Sequence, residues 1–300
     1  MPRTGTEEGN ETLVAAKYAE NFVRSRKGTP WFACFWPHAP HGPYYPLGRY
    51  AEAYKDDKPP TPFGEPERDL SDKAPPVRSA ARFSDEARAE MMQGYRGRLR
   101  EVEEVDDGVK RLVTALEETN QLGHTWIFFV TDNGYQHGEH FLDKKLWPYE
   151  ESCRTPFVVR GPGVPANTVN KQLVSQIDLL PTICEIAGAD ASGVDGRSIL
   201  PTLRDPSALL REFLLIEAEG RGWSSVRMRR RNRARSGYDN LLFVKWRDGF
   251  EEVYDYDDDP HMYEGHFDTP REQQHADMLR ERLSDMRAAA GDQYRTLEKT

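Results

Sequence analysis

The sequence has little cysteine, no long apolar run and no excess of positive charge. Its three cysteines lie in apolar or helical surroundings, which predicts reduced structural thiols rather than a disulfide framework. No apolar run approaches membrane-spanning length, so no membrane span is predicted. With 41 basic and 50 acidic residues, the formal net charge is −9, which argues against nucleic acid as the main partner.

Length and composition limit the class of protein further. Three hundred residues allow one large domain or two smaller ones. The mean hydropathy of −0.78 suits either an α/β enzyme without part of its buried sheet or a protein with much surface. Residues 1–5 open no signal peptide, so the chain as given is expected to be cytoplasmic. An upstream segment with an export signal would change that expectation.

The most informative stretch is the end of an apolar strand predicted at residues 125–130. Asp132 and Asn133 follow it directly and offer hard oxygen donors, which suit Ca²⁺ or Mg²⁺ better than zinc. The carboxyl ends of strands in α/β proteins are common ligand sites, and Gly134 frees the backbone to turn away from an ion. Asp-Asn-Gly is also a common turn tripeptide, so these residues alone leave both readings open.

Hydrophobic periodicity and capping residues predict the remaining elements. Residues 31–36 are continuously apolar, which is typical of a strand buried on both faces of a parallel sheet. Ser84 is the expected N-cap of a long helix with a break near Gly108, and Asp178 the expected cap of another. Helices are predicted at 11–26, 84–120, 179–187 and 270–290, and further strands at 157–159, 211–217, 224–226, 241–246 and 252–254.

A dense basic run extends from Arg227 to Arg235. It could attract an anionic substrate, but a solvated hairpin loop in an acidic protein is the favoured interpretation. Residues 44–77 are rich in proline and charge and predict a long surface excursion at the rim of the site.

Several motifs resemble, in the same order, those of the sulfatases of the alkaline phosphatase superfamily. They are PHAPHGP at 37–43, VTDNGY at 130–135, GEH at 138–140, KK at 144–145, YEES at 149–152, RTP at 154–156, RGPGV at 160–164, DLLPTI at 178–183 and DGRS at 195–198. The similarity covers roughly residues 10–290. It implies an α/β fold, a partial alkaline-phosphatase-like α/β/α sandwich in residues 1–220. A small C-terminal antiparallel α+β subdomain is expected in residues 221–300.

The resemblance also implies roles for two groups of residues. Asp132 and Asn133 would be metal ligands, for Ca²⁺ or less readily Mg²⁺. Lys145 would contact the sulfate, because an ammonium suits a tetrahedral anion, and Lys144 is its rival.

Histidines are expected on the substrate side of the same site. His41 resembles the histidine that donates a proton to the leaving group, and His38 is the alternative in the same loop. His137 is a further candidate for substrate binding by position. His140 is expected to order the metal loop.

One family feature is missing. Sulfatases use a formylglycine made from a Cys-x-Pro-x-Arg or Ser-x-Pro-x-Arg motif, and no cysteine or serine here satisfies that pattern. The acidic pair of the family's first strand also has no counterpart before Trp31. The chain is therefore expected to be the C-terminal portion of a sulfatase, inactive alone and partnered by an upstream N-terminal segment of the same enzyme.

The expected function is hydrolysis of sulfate monoesters in a sulfated small molecule or glycan. Two alternatives remain open from the sequence. One is a phosphodiesterase or phosphonate hydrolase on the same scaffold, and the other is an inactive fragment or pseudoenzyme.

Overall fold

A computed structural model describes residues 6, 9–59, 69–82, 84–232, 237–265 and 269–299. The helices are α1 (Glu11–Ser25), α2 (Pro75–Ala80), α3 (Asp85–Glu118), α4 (Glu150–Cys153), α5 (Leu179–Ala187), α6 (Leu200–Arg204), α7 (Pro270–Ala288) and α8 (Gly291–Leu297). The strands are β1 (Ile127–Val130), β2 (Gln136–His137), β3 (Asp143–Lys144), β4 (Phe157–Arg160), β5 (Phe213–Ala218), β6 (Trp223–Asn232), β7 (Gly237–Trp246) and β8 (Glu251–Asp255).

Helices α1 and α3 pack together and begin at capped ends. The side chain of Ser84 accepts a hydrogen bond from the N–H of Ala87, as predicted. The side chain of Asn10 caps α1 and donates to the buried carboxylate of Glu104 on α3 at 2.7 Å. The break expected near Gly108 is wrong, since α3 is continuous there. A Cβ at Gly108 would lie 3.0 Å from the ring of Phe35, so this glycine allows close packing.

The strand predicted at 31–36 is also wrong. The segment has no regular structure, and Phe32 and Trp36 are 65% and 85% exposed. A strand is stable only when its backbone groups pair with a neighbour. No described strand lies beside this segment.

Strand β1 precedes the loop that carries Asp132 and Asn133, which we call the metal loop. It pairs with β4, and the pair is antiparallel. Phe129 lies opposite Val158, and both are exposed, at 37% and 62%. The described chain does not bury β4, whose residues alternate between half-buried and exposed. A two-stranded ribbon with one apolar face in solvent gains little stability from burial of apolar area. This exposed apolar face is therefore available to pack against another segment.

Strands β5 to β8 form an antiparallel sheet in sequence order, with both faces covered. Side chains of β7 alternate, so Leu242 and Val244 face the cluster around Trp147 and Tyr254, while Leu241 and Phe243 face α7. The predicted hairpins and final helix are confirmed. Strand β5 precedes the boundary predicted at 220/221 yet pairs with β6, and the division into domains remains a prediction.

The basic run begins on β6 rather than in a loop. The guanidinium of Arg227 lies 3.7 Å from the centre of the Tyr256 ring and donates to Asn240 at 2.7 Å. It therefore holds the sheet together instead of facing solvent. Arg233 and Arg235, like residues 60–68 of the predicted surface excursion and the start of the chain at 1–5, lie outside the described residues.

A buried ion cluster joins α5 to the C-terminal helix α8. Both side-chain oxygens of Asp178 accept from Arg211, at 2.6 and 2.7 Å, and Arg211 donates to Glu298 at 2.7 Å. All three side chains are fully buried. The side chain of Asp178 was expected to cap α5, and this prediction is wrong. Its carboxylate instead accepts hydrogen bonds from Arg211 and from the N–H groups of Ser175 and Arg197.

Glu252 on β8 is expected to make stability depend on pH. Burial raises its pKa to about 7, against the opposing hydrogen bond from Ala74 and the nearby Lys73. The folded chain therefore keeps a proton on Glu252 that the unfolded chain releases near pH 4.5. The contribution of Glu252 to the free energy of unfolding is largest at low pH and is lost as the pH rises through 7. Relative to Glu252→Gln, the wild type should lose at most about 1.4 kcal/mol per pH unit across that window.

The measurement is urea unfolding of both proteins between pH 4.5 and 7.5. Taking the difference between them cancels the other titrating groups. A difference that stays flat with pH would contradict the assignment.

Candidate active site

The candidate site is built on the loop that follows β1. Asp132 is exposed, and no described residue is hydrogen-bonded or ion-paired to its carboxylate. The side-chain oxygen of Asn133 accepts a hydrogen bond from the Nζ of Lys145 at 3.1 Å. Three of the predicted site residues, Asp132, Asn133 and Lys145, are therefore brought together, and the Asp132 carboxylate is available to a cation.

Gly134 lets this loop pass close to the backbone of α4. Its N–H donates to the carbonyl of Ser152 at 2.9 Å. A Cβ at this position would lie 2.1 Å from the carbonyl oxygen of Glu151, a contact that no side chain can make. The glycine is required for close approach to α4 rather than for a left-handed backbone.

A short hairpin of β2 and β3 carries the two lysines. Gln136 pairs with Lys144, and Gly138 turns the chain with a φ of 111°. Lys144 is exposed, and its N–H donates to the side chain of Asp143. The hairpin thus directs Lys145 and not Lys144 toward Asn133.

His140 lies behind the loop. Its ring is fully buried, stacks on Tyr149 with a centroid distance of 4.0 Å and comes within 3.8 Å of the Glu151 carboxylate. This is the supporting position that the sequence analysis expected.

His38 and His41 form a pair in the loop that precedes Pro43. Their ring centroids are 5.0 Å apart, both are exposed, and the Nδ1 of His41 lies 2.7 Å from the carbonyl oxygen of Gly42. The contact with the Gly42 carbonyl fixes the orientation of the His41 ring in this loop.

Arg98 on α3 connects the histidine loop to the metal loop. Its guanidinium carbon lies 3.5 Å from the centre of the Tyr135 ring and 5.4 Å from that of Tyr44. Tyr44 packs on Gly97, where a Cβ would lie 2.5 Å from its ring. These cation–π contacts hold the two loops against the same face of α3.

His137 points into this aromatic cluster. Its ring lies 5.0 Å from the rings of both Tyr95 and Tyr135. Burial, and secondarily the charge of Arg98, lower the pKa of His137 to about 3, so the ring is neutral at physiological pH. Its predicted role in substrate binding remains a prediction.

The residues present fit part of a divalent-ion site. Asp132 and Asn133 supply two hard oxygen donors, whereas Ca²⁺ takes six to eight. Within the described ranges, no three His, Cys, Asp or Glu side chains converge as a metal cluster. Two residues in contact with these loops could not be found from the sequence, because neither lies in a recognisable motif. They are Arg98 and Gln176, whose side-chain amide donates to the backbone carbonyls of Thr131 and Asp132.

Two solved structures share the fold of this chain. One is described as a complex with its substrate D-glucosamine-2-N,6-O-disulfate, with a TM-score of 0.77, 18% identity, and coverage of 96% of this chain and 70% of that chain. Another is a phosphonate monoester hydrolase from Silicibacter pomeroyi, with a TM-score of 0.77, 21% identity, and coverage of 98% and 64%. The predicted fold class, an alkaline-phosphatase-like α/β fold, is confirmed.

The sequence itself matches two family models. The sulfatase model covers residues 3–189, and the model of the N-sulphoglucosamine sulphohydrolase C-terminal region covers residues 138–289. The chain belongs to the sulfatase family, whose members generally use a metal ion and a formylglycine.

Sequence relatives agree with this assignment. N-acetylglucosamine-6-sulfatase from Homo sapiens is 36% identical over 225 residues, which are 71% of this chain and 38% of that protein. An arylsulfatase from Volvox carteri is 31% identical over 216 residues, 62% of this chain and 33% of that protein. The chain thus spans about two fifths or less of these relatives. No helix in the described part of the chain is long and apolar enough to cross a membrane.

Proposed function

We propose that this chain supplies one part of the active site of a sulfuric ester hydrolase. The observation that carries the proposal is the contact between Lys145 and the Asn133 oxygen, beside the unpaired carboxylate of Asp132. A cation site next to an ammonium is the arrangement that binds and polarises a tetrahedral anion.

Asp132 and Asn133 would hold a divalent cation, with Ca²⁺ preferred to Mg²⁺ because Ca²⁺ accepts the irregular geometry of loop ligands, whereas Mg²⁺ demands a near-octahedral set. When bound, the ion would neutralise negative charge on the sulfate group. Lys145 would orient a sulfate oxygen. Lys144 is exposed and would attract the anionic substrate as it approaches, without contacting the sulfate group.

His41 would protonate the leaving-group oxygen, with His38 as the alternative donor in the same loop. Both rings are exposed, so a substrate can reach them. His137 would line the same side through its contact with Tyr135.

The nucleophile would come from an upstream N-terminal segment of the same enzyme. Two observations support this partner: no formylglycine motif occurs in the sequence, and Phe129 and Val158 expose one face of the β1–β4 pair. A segment that packs against this face would bury it and bring the nucleophile to the metal loop.

The proposed substrate class is a sulfated sugar or other small sulfate monoester. The glucosamine disulfate complex and the N-acetylglucosamine-6-sulfatases support it, and the phosphonate monoester hydrolase makes phosphonate monoesters the second candidate. Assays of the completed enzyme on both ester types would decide between them.

Removing the carboxylate of Asp132 should weaken Ca²⁺ binding at least about tenfold. Calorimetric titration of the chain with Ca²⁺ measures this in the wild type and in Asp132→Ala. Asp190→Ala is the matched control, because Asp190 is exposed and bonded to Ser192, away from the site. Equal affinity in the wild type and Asp132→Ala, or no binding by the wild type, would contradict the metal assignment.

A further inference from the structure

Gln176 reaches the metal loop from a distant part of the chain. It lies in the turn before α5, and its amide nitrogen Nε2 donates to the backbone carbonyls of Thr131 and Asp132, the latter at 2.9 Å. One side-chain amide therefore bridges two consecutive carbonyls of the loop that carries Asp132 and Asn133. The NH₂ group of glutamine has two N–H donors, one for each carbonyl.

The turn that carries Gln176 is itself anchored. Ser175 and Asp178 form a reciprocal capping box around it. The carboxylate of Asp178 is bound by the buried Arg211, which is bound in turn by Glu298 near the end of the chain. The turn is also in close contact with Gly196, where a Cβ would lie 2.0 Å from the carbonyl oxygen of Ile177.

We propose that Gln176 is a positioning residue for the cation site. It holds the backbone of Thr131 and Asp132 so that the Asp132 carboxylate and the Asn133 oxygen face the same point. Its anchor is the ion cluster of Asp178, Arg211 and Glu298, so the last helix of the chain supports the metal loop through one side chain. This inference rests on the proposed cation site and assigns it a supporting residue from outside the loop.

The test compares Gln176→Met with Gln172→Met in the full chain. Methionine keeps the length of the side chain and removes both donors. Gln172 is the matched control because its amide contacts Pro206 and Leu210 instead of the metal loop. Gln176 is exposed, so its replacement should leave the melting temperature unchanged and isolate the effect on the loop.

Two readouts are expected to change in Gln176→Met and not in Gln172→Met. Calorimetry should show Ca²⁺ affinity about tenfold weaker, the range found when support of a metal ligand is removed. Hydrogen exchange without Ca²⁺ should show the Gly134 amide, bonded to Ser152, exchanging at least about threefold faster.

The second readout separates this inference from the proposed function. If the wild type bound no Ca²⁺, the cation site would fail, while faster exchange at Gly134 in Gln176→Met would still support positioning of the loop. Unchanged exchange at Gly134 would overturn the role of Gln176 whatever the metal does. If the wild type binds Ca²⁺ and Gln176→Met binds it with the same affinity, the role of Gln176 is overturned as well.

Discussion

Replacing Arg211 with methionine is expected to lower the free energy of unfolding by about 3–5 kcal/mol. Arg211 is fully buried between the carboxylates of Asp178 and Glu298, and methionine fills similar space without a charge. The variant leaves the buried Asp178 carboxylate without its cation, while Glu298 keeps only its ion pair with Arg197, and neither carboxylate can reach water without local unfolding. The loss of a buried partner costs far more than the loss of a surface one.

Chemical denaturation of the wild type and Arg211→Met measures this difference. Arg287→Met is the control, because Arg287 pairs with Glu217 at the surface and should change stability by no more than about 1 kcal/mol. A triple variant with Asp178→Asn and Glu298→Gln should recover part of the stability, since it removes the uncompensated charges. Equal destabilisation by Arg211→Met and Arg287→Met would refute the importance of the buried cluster.

Replacing Lys145 with alanine is expected to lower kcat of the completed enzyme by about 10²–10³-fold. The ammonium of Lys145 is held 3.1 Å from the Asn133 oxygen, so it is already in place for the negative charge that develops on the sulfate oxygens. Lys144→Ala is the matched control on the adjacent residue. Because Lys144 is exposed and bound only through its backbone N–H, its removal should act mainly on KM and by less than about tenfold.

The assay uses the chain joined to a formylglycine-bearing N-terminal segment, with an aryl sulfate and glucosamine 6-sulfate as substrates. A larger loss in kcat from Lys144→Ala than from Lys145→Ala would reverse the assignment of the two lysines. A chain that hydrolyses phosphonate monoesters faster than sulfates would favour the alternative reaction while leaving the lysine comparison valid.

The local features of the fold could be predicted from the sequence because they depend on neighbours in the chain. The Ser84 cap and the strand predicted at 241–246 are of this kind, since each follows from residue types and spacing within one element. The family could be recognised for a related reason: its motifs keep their order however the rest of the chain has changed.

Predictions that depended on distant partners were less successful. The apolar run at 31–36 predicted a buried strand, but strand formation requires a neighbour, and the described chain places none beside it. Asp178 was expected to cap a helix, yet Arg211, 33 residues away, takes its carboxylate. In both places the local pattern was compatible with two outcomes, and a long-range contact chose between them.

The candidate site divides in the same way. The sequence by itself determined which residue types could carry the chemistry, because a carboxylate, a carboxamide, a lysine pair and a histidine loop are visible without coordinates. Only the tertiary structure decided that Lys145 rather than Lys144 meets Asn133, and that Arg98 and Gln176 support the loops. The physical reason is that these choices depend on side-chain direction and on contacts between residues that lie 12 positions apart for Lys145 and Asn133 and 44 apart for Gln176 and Asp132, which spacing along the chain does not encode.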